Sequence, residues 1–152
     1  LGPRQIEEAL TTYPGLPHRC QILGQKRGVT FVNDSKATNA DAAAQSLGAF
    51  DRIRWIAGGV PKAGGVTSLL PLLDRVERTY LIGEAATGFA EDLGEAPHVI
   101  SDTLENAVRM AVADAEPGET ILLAPACASF DQFDSFEARG DAFAQLVEQL
   151  PS

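Results

Sequence analysis

The sequence predicts a doubly wound α/β domain, in which helices cover both faces of a mostly parallel sheet. Short β-branched and apolar runs alternate with amphipathic helical segments along the chain, as such a sheet requires. These runs are apolar almost throughout, which is typical of strands buried on both faces. The composition, with 45% hydrophobic and 22% charged residues, is that of an ordinary globular protein.

The first elements of the chain predict an antiparallel hairpin at one edge of this Rossmann-like sheet. A short helical piece at Ile6–Leu10 precedes Tyr13–Pro17, where two prolines and a glycine indicate a linker. The runs Cys20–Lys26 and Val29–Val32 predict two strands, and Arg27-Gly28 between them predicts a tight turn. Strands that are joined by so short a turn pair antiparallel.

From residue 40 onward the predicted helices and strands alternate, and right-handed crossovers between them give the double winding. The first of these helices would be capped by Thr38 or Asn39, since both side chains suit that position. Trp55 lies within a strand and is expected in the core. The predicted helices are 40–48, 67–76, 84–93, 103–115 and 138–149. The predicted strands are Ile53–Ala57, Thr79–Ile82, His98–Ile100 and Thr120–Ala124.

Length, charge and cysteine content exclude several classes of function. The 152 residues are enough for one domain with a substantial core. The net charge of −9 argues against a nucleic-acid-binding surface, and no apolar run approaches the roughly 18 residues of a membrane span. Cys20 and Cys127 are far apart and have no CxxC partner, so we expect no disulfide and a cytoplasmic location.

Three strand-end loops carry the candidate functional residues, because ligands bind beyond the carboxyl ends of strands in such sheets. In Asn33–Asn39, Asp34 can accept hydrogen bonds from ribose, and Lys36 can neutralise a phosphate or carboxylate at a helix N-terminus. An ordinary helix cap with a solvated lysine fits this loop equally well. The glycines of Gly58–Gly65 let the backbone approach a ligand near Lys62, although a flexible surface turn has the same composition.

The third loop, Pro125–Phe133, follows the most apolar strand. Its small residues allow a close backbone approach, and Ser129 with the neighbouring N–H groups could hold a carboxylate. Cys127 as a nucleophile is the weaker interpretation, because no histidine is near it in sequence and its small apolar neighbours favour an inert buried thiol. The aromatic residues of this region are interpreted as packing residues: Phe130, Phe133 and Phe136.

Together these loops resemble the C-terminal domain of the Mur ligases. The resemblance extends over nearly the whole chain and rests on four blocks in the same order: Leu16–Gln21, Asn33–Asn39, Gly58-Gly59 with Lys62, and Pro125–Phe133. It implies ATP- and Mg²⁺-dependent amide formation through an acyl phosphate, in peptidoglycan synthesis. D-Glutamate would be the attacking amine, and UDP-N-acetylmuramoyl-L-alanine would supply the carboxyl group.

The resemblance also implies roles for individual residues. Arg19 and Asp34 match positions that hold the nucleotide, and Lys36 matches a residue close to the phosphates and the reacting centre. Positions around D-glutamate are matched by Thr38, Lys62, Ser129, Phe130 and Phe136. Relatives often carry an acidic residue shortly after the matched lysine of the glycine loop. Here Ala63-Gly64-Gly65 follows Lys62, so this loop is expected to be more mobile or to adopt a different conformation.

The family's P-loop belongs to a central domain and its UDP-binding module to an N-terminal domain, and this sequence contains neither GKT nor GKS. We therefore expect residues 1–15 to be a linker or short helix from a preceding domain, and residues 16–152 to be the C-terminal domain. The central domain would hold most of ATP and Mg²⁺, so no metal ligands are expected here. This chain alone is expected to be monomeric and inactive.

Two other functions fit the residues. The chain could be a non-catalytic module that binds a nucleotide or an acidic amino acid, or an α/β domain whose glycines only form turns. A segment containing GKT or GKS upstream in the full-length gene would favour the ligase domain over the binding module. Amide resonance shifts of residues 34–38 and 129–136 on addition of ADP or D-glutamate would exclude the purely structural interpretation.

Overall fold

A single sheet with helices on both faces organises the residues that the computed structural model describes, 20–60, 66–127, 133 and 135–151. The predicted helix at Ile6–Leu10 and the linker after it lie outside these residues. The elements in chain order are β1 (Gln21–Lys26), β2 (Val29–Asn33), α1 (Ala40–Ala49), β3 (Ile53–Gly58), a 3₁₀ helix (Thr67–Arg75), β4 (Val76–Ile82), α2 (Ala86–Leu93), β5 (His98–Asp102), α3 (Leu104–Asp114), β6 (Thr120–Leu123) and α4 (Phe136–Glu148).

The six strands lie in the order β1-β2-β6-β3-β4-β5, which confirms the predicted sheet. The β1–β2 pair is antiparallel and the other pairs are parallel. The hairpin turn has positive φ angles at both central residues, 55° at Arg27 and 79° at Gly28, as a type I′ hairpin turn requires. None of the described helices is long and apolar enough to cross a lipid bilayer.

Two hydrophobic clusters lie on opposite faces of the sheet, which confirms the double winding. One cluster contains Leu47 of α1 and Phe89 of α2. The other contains Val108 of α3 and Phe143 of α4. Successive strand residues point to opposite faces. Accordingly, the fully buried Trp55 joins the first cluster and its neighbour Ile56 joins the second, so Trp55 lies in the core as predicted.

The helix predicted over 67–76 is wrong in type. Thr67–Arg75 is a 3₁₀ helix, and β4 begins directly after it at Val76 rather than at Thr79. Pro71 lies inside this segment, where it has no N–H to donate and its ring would clash with the preceding turn of an α-helix. The proline therefore favours the tighter, shorter-range hydrogen bonds of a 3₁₀ helix.

Polar side chains fix the N-termini of two helices close to the candidate site. Asn39 caps α1, since its Oδ1 accepts a hydrogen bond from the N–H of Ala42 at 2.8 Å. Ser135 caps α4, since its Oγ accepts from the N–H of Ala138 at 3.0 Å. The second cap makes α4 begin two residues earlier than the predicted 138, because the cap fixes the first helical turn.

A buried carboxylate ties together the amino ends of β3 and β6. Glu119, just before β6, accepts hydrogen bonds at Oε1 from Arg54 Nε at 2.6 Å and from the N–H of Glu116 at 3.0 Å. Arg52 lies 3.6 Å from the other carboxylate oxygen. Burial by itself would raise the pKa of Glu119, but these hydrogen bonds and positive charges hold that pKa below its ordinary value of 4.5.

Glu119→Gln should lower the free energy of unfolding at neutral pH by roughly 1–3 kcal/mol, because Arg54 loses a charged partner. A carboxylate whose pKa is depressed in the folded state adds stability at pH values above its unfolded-state pKa. That stability is lost as the pH falls through the folded-state pKa. The difference between wild type and variant in urea unfolding should therefore shrink below about pH 4. Glu77→Gln, at an exposed position of β4, is the control. A difference that stays constant into acid would contradict this account.

Candidate functional site

The carboxyl ends of β2, β3 and β6, from which the three candidate loops start, lie side by side at one edge of the sheet. β6 pairs with β2 on one side and with β3 on the other. The N–H of Ala126 donates to the carbonyl of Ala37 at 2.8 Å, and the N–H of Gly58 donates to the carbonyl of Pro125 at 3.0 Å. Backbone hydrogen bonds thus fix the described starts of these loops relative to one another.

The carboxylate of Asp34 is held by neighbouring protein groups. The residue is only 5% exposed. Its Oδ1 accepts a hydrogen bond from the N–H of Cys20 at 3.1 Å, and its Oδ2 accepts one from the hydroxyl of Ser46 on α1. The thiol of Cys20 lies 3.7 Å from Oδ2. Asp34 therefore joins the start of the described chain to α1, and its orientation is fixed before any ligand arrives.

Lys36 lies half-buried in the same loop, where its ammonium group faces an aromatic ring. Its Nζ is 5.8 Å from the centroid of the Phe136 ring, within the range of a cation–π interaction. None of the ion pairs between described residues involves Lys36. Its charge is therefore available to an anion that enters this edge of the sheet.

A cavity of about 600 Å³ opens beside these two residues. Its size lies within the usual range of small-molecule sites. Lys36 supplies a positive charge and Asp34 a negative charge, and the first turn of α1 forms part of the wall. The lining residues are Cys20, Asp34, Lys36, Ala37, Asn39, Ala42, Gln45 and Ser46. The cavity can accept a ligand with both an anionic group and hydroxyl donors.

Thr38 and Phe136, two of the residues expected to lie around D-glutamate, do not line this cavity, but both lie next to Lys36. The N–H of Thr38 donates to the carbonyl of Lys36 at 2.8 Å, which places both residues in one tight turn. Phe136 is the first residue of α4. Four other expected site residues lie outside the described part of the chain: Arg19, Lys62, Ser129 and Phe130.

A buried arginine that the sequence analysis missed connects two of the loops. Arg139 on α4 is 1% exposed. Its Nε donates to Ser35 Oγ at 2.9 Å, and its Nη2 donates to the carbonyls of Ser35 and Cys127 at 2.8 and 3.0 Å. The sequence carried one indication that Arg139 is buried, because this residue lies on the same face of α4 as Phe143 and Val147. A charged residue on an apolar helix face needs buried partners.

The structure supports the interpretation of Cys127 as an inert thiol. Cys127 is fully buried, whereas Cys20 is partly exposed. Metal ligation is a separate question from the cysteines. Within the described ranges, no group of three or more His, Cys, Asp or Glu residues is placed to hold a metal ion. The ring Nδ1 of His98 lies 2.7 Å from the carbonyl of Ala96.

The comparison with protein families bears directly on this site. Residues 18–127 match the family model described as Mur ligase, glutamate ligase domain. The matched region is most of the chain and contains the loops after β2 and β3 and the start of the loop after β6. The chain belongs to this glutamate ligase domain family. The family resemblance that the sequence analysis identified is thereby confirmed.

Relatives of this glutamate ligase domain carry names that agree with the family. A UDP-N-acetylmuramoylalanine--D-glutamate ligase of Dinoroseobacter shibae is 59% identical over 151 residues, covering 99% of this chain and 32% of the relative. The chain thus spans about a third of the length of the curated relatives it matches.

Two solved structures show the same fold. A UDP-N-acetylmuramate-alanine ligase from Thermotoga maritima has a TM-score of 0.62 at 14% identity, over 93% of this chain and 32% of that chain. A bifunctional folylpolyglutamate synthase/dihydrofolate synthase with Mn, AMPPNP and L-glutamate bound has a TM-score of 0.58 at 23% identity, over 88% of this chain and 32% of that chain.

Gly58 should be essential for the close packing of the strand ends. It has a φ of 135°, and a β-carbon at this position would overlap the carbonyl oxygen of Ile82. Gly58→Ala should therefore lower the free energy of unfolding by about 2 kcal/mol or more. Gly48 on α1 is the matched control, since a β-carbon there meets no atom within 4 Å. Gly48→Ala should raise stability by roughly 0.4–1 kcal/mol, and similar losses for both variants in urea unfolding would argue against this packing.

Proposed function

We propose that this chain is the C-terminal domain of a UDP-N-acetylmuramoyl-L-alanine:D-glutamate ligase (MurD). The observation that carries the proposal is the 59% identity over 151 residues to a relative of that name. The block Pro125–Ser129 supports the same assignment, because the family resemblance gives this block as specific to the D-glutamate-adding ligase. Residues 16–152 would form the domain, and residues 1–15 would lead into it from a central, P-loop-containing domain.

In the proposed reaction, the alanyl carboxylate of UDP-N-acetylmuramoyl-L-alanine attacks the γ-phosphorus of ATP and displaces ADP, which gives an acyl phosphate. The amine of D-glutamate then attacks the acyl carbon. The new C–N bond forms, inorganic phosphate leaves, and the amine gives up a proton to the solvent. Both steps redistribute negative charge on oxygens, which a fixed cation stabilises most when it is aimed at the transition state. Lys36 is the residue that we assign to this role.

The nucleotide would lie along the cavity beside α1. Asp34 would accept hydrogen bonds from the ribose hydroxyls, and Arg19 and Lys36 would face the phosphates. The carboxylate of Asp34 is suited to this role because the N–H of Cys20 and the hydroxyl of Ser46 already fix its orientation. A preorganised acceptor loses little conformational entropy when the ligand binds.

D-Glutamate would lie between the loops after β2, β3 and β6. Ser129 and the backbone N–H groups of Phe130 and Phe136 would bind one carboxylate, and Lys62 and Thr38 would bind the other charged end. A protein with a net charge of −9 must supply local cations and N–H donors to hold a dicarboxylate. The tight turn that joins Thr38 to Lys36 supports this placement, because it brings the amino acid close to the phosphates.

We assign Mg²⁺, which would neutralise phosphate charge, to ATP and to the central domain. Among the described residues, no group of three or more His, Cys, Asp or Glu residues is placed to hold a metal ion. On this proposal the chain by itself binds the substrates but does not join them, because domain closure completes the site.

The proposal also assigns a cellular role to the full-length enzyme. A ligase that consumes ATP and a UDP-linked peptidoglycan precursor would work in the cytoplasm. Its product would serve cell-wall biogenesis, and with it cell shape and cell division. We propose that the enzyme works as a monomer, with its own central domain as the partner of this chain.

Alkylation of Cys20 offers a test of the nucleotide position that requires no mutation. In the intact enzyme, iodoacetamide should modify the partly exposed Cys20 and leave the buried Cys127 unmodified. Because Cys20 lines the proposed nucleotide cavity, saturating ADP should slow its modification about tenfold or more. Peptide mass spectrometry gives both rates. Equal rates with and without ADP would place the nucleotide elsewhere.

Substitutions at Lys36 and Ser129 should separate the two halves of the site. In the intact enzyme, Lys36→Ala should lower kcat about a hundredfold or more, because a cation near the reacting phosphate is lost. Ser129→Ala should mainly raise the KM for D-glutamate, because the binding free energy loses about one to three kcal/mol of hydrogen bonding. Lys26→Ala is the control, since Lys26 donates to carbonyls at the C-terminal end of α4. An unchanged response to D-glutamate in Ser129→Ala would refute the role of that loop.

A further inference from the structure

The guanidinium group of Arg139 is enclosed by backbone from both loops of the proposed site. Its Nε donates to the hydroxyl of Ser35, the residue before Lys36, and its Nη2 donates to the carbonyl of Ser35. The same Nη2 also donates to the carbonyl of Cys127, two residues before Ser129. At 1% exposure it belongs to the interior rather than to the surface that a substrate could reach.

Further hydrogen bonds extend from this group into the first turns of α4. Ser35 Oγ donates to the carbonyl of Phe136 at 2.6 Å, and its N–H donates to Asn33 Oδ1 at 3.2 Å. Asn33 Nδ2 in turn donates to the carbonyl of Gly140 at 3.1 Å. The loop after β2, the loop after β6 and the start of α4 therefore share one buried polar network.

This network contributes more than the stability of the fold, because its ends lie beside residues assigned to the two substrates. Ser35 precedes the residue assigned to the phosphates, and Phe136 places its ring 5.8 Å from Lys36 Nζ. The backbone of Cys127 leads into the segment assigned to D-glutamate. The planar guanidinium has a rigid fork of donors and therefore fixes an angle between its acceptors, which the single flexible ammonium of a lysine does not.

We propose that Arg139 is a positioning residue that sets the distance between the nucleotide loop and the D-glutamate loop. The proposal rests on the function proposed above. The amine of D-glutamate must meet an acyl phosphate formed beside Lys36, and a small misplacement of either partner lowers the rate of such a reaction strongly. Loss of the guanidinium should therefore affect turnover more than the binding of either ligand.

The test compares two arginine-to-lysine variants in the intact enzyme. Arg139→Lys keeps the charge but not the fork, and it should lower kcat at least tenfold while the KM values for ATP and D-glutamate change less than threefold. Arg54→Lys is the matched control, because Arg54 is likewise a hydrogen-bonded arginine but lies on β3 and binds Glu119 at the opposite edge of the sheet. Its kcat should stay within twofold of wild type. Equal kcat values for the two variants would overturn the proposal.

A second measurement reports on the loops without using the reaction. The N–H of Ala126 donates to the carbonyl of Ala37 and so bridges the two loops. In hydrogen exchange with mass spectrometry, the peptide containing Ala126 should exchange at least tenfold faster in Arg139→Lys, after correction for any change in melting temperature, and not in Arg54→Lys. Unchanged exchange would overturn the proposal even if kcat fell. If the wild-type enzyme ligated no D-glutamate, the proposed function would fail, and this exchange comparison would still decide whether Arg139 couples the loops.

Discussion

The pairing of β6 between β2 and β3 is the constraint on which the candidate site depends. β6 is late in the chain, yet it forms parallel ladders with both earlier strands. Two loops that are about ninety residues apart in sequence are thereby brought into hydrogen-bonding distance, as the contact between Ala126 and Ala37 shows. The site is therefore a consequence of sheet order, and any change that displaces β6 separates its two halves.

The placement of charge follows from this arrangement. Among the described residues, most acidic side chains are exposed, whereas the buried charged residues have defined partners. Asp34 is held by Cys20 and Ser46, and Arg139 is held by backbone carbonyls. Burial of a charge without such partners would cost several kcal/mol, on the order of the stability of a whole domain. Lys36 differs from these groups, because its ammonium group faces an aromatic ring beside an open cavity.

The fold could be predicted largely from the sequence, because apolar runs and helical periodicity record which residues must be buried. The hairpin turn at Arg27-Gly28 and the core position of Trp55 follow from local chemistry alone. The segment from Thr67 to Arg75 could not be assigned in this way, since its apolar spacing suits an α-helix and the effect of Pro71 on hydrogen bonding decides against it. Local patterns predict an element more reliably than its exact type or ends.

The candidate site could be predicted only in part. The loop around Asp34 and Lys36 stands out because its polar residues lie between a strand and a helix. The role of Arg139 depends on which carbonyls lie opposite its helix face, and no periodicity in the sequence records that. The same holds for the partners of Asp34, since Cys20 and Ser46 become neighbours only when β1 and α1 are in place.

The central claim is that the chain contributes two adjoining parts of one site, one for the nucleotide and one for D-glutamate. A crystal structure of the intact enzyme with ADP and D-glutamate is its most direct test. The account predicts ADP in the cavity beside Asp34, with Lys36 Nζ between its phosphates and D-glutamate. It also predicts the D-glutamate carboxylates at Thr38, Lys62, Ser129 and the first turn of α4. D-Glutamate bound away from these loops, or ADP bound away from Asp34 and Lys36, would contradict the account.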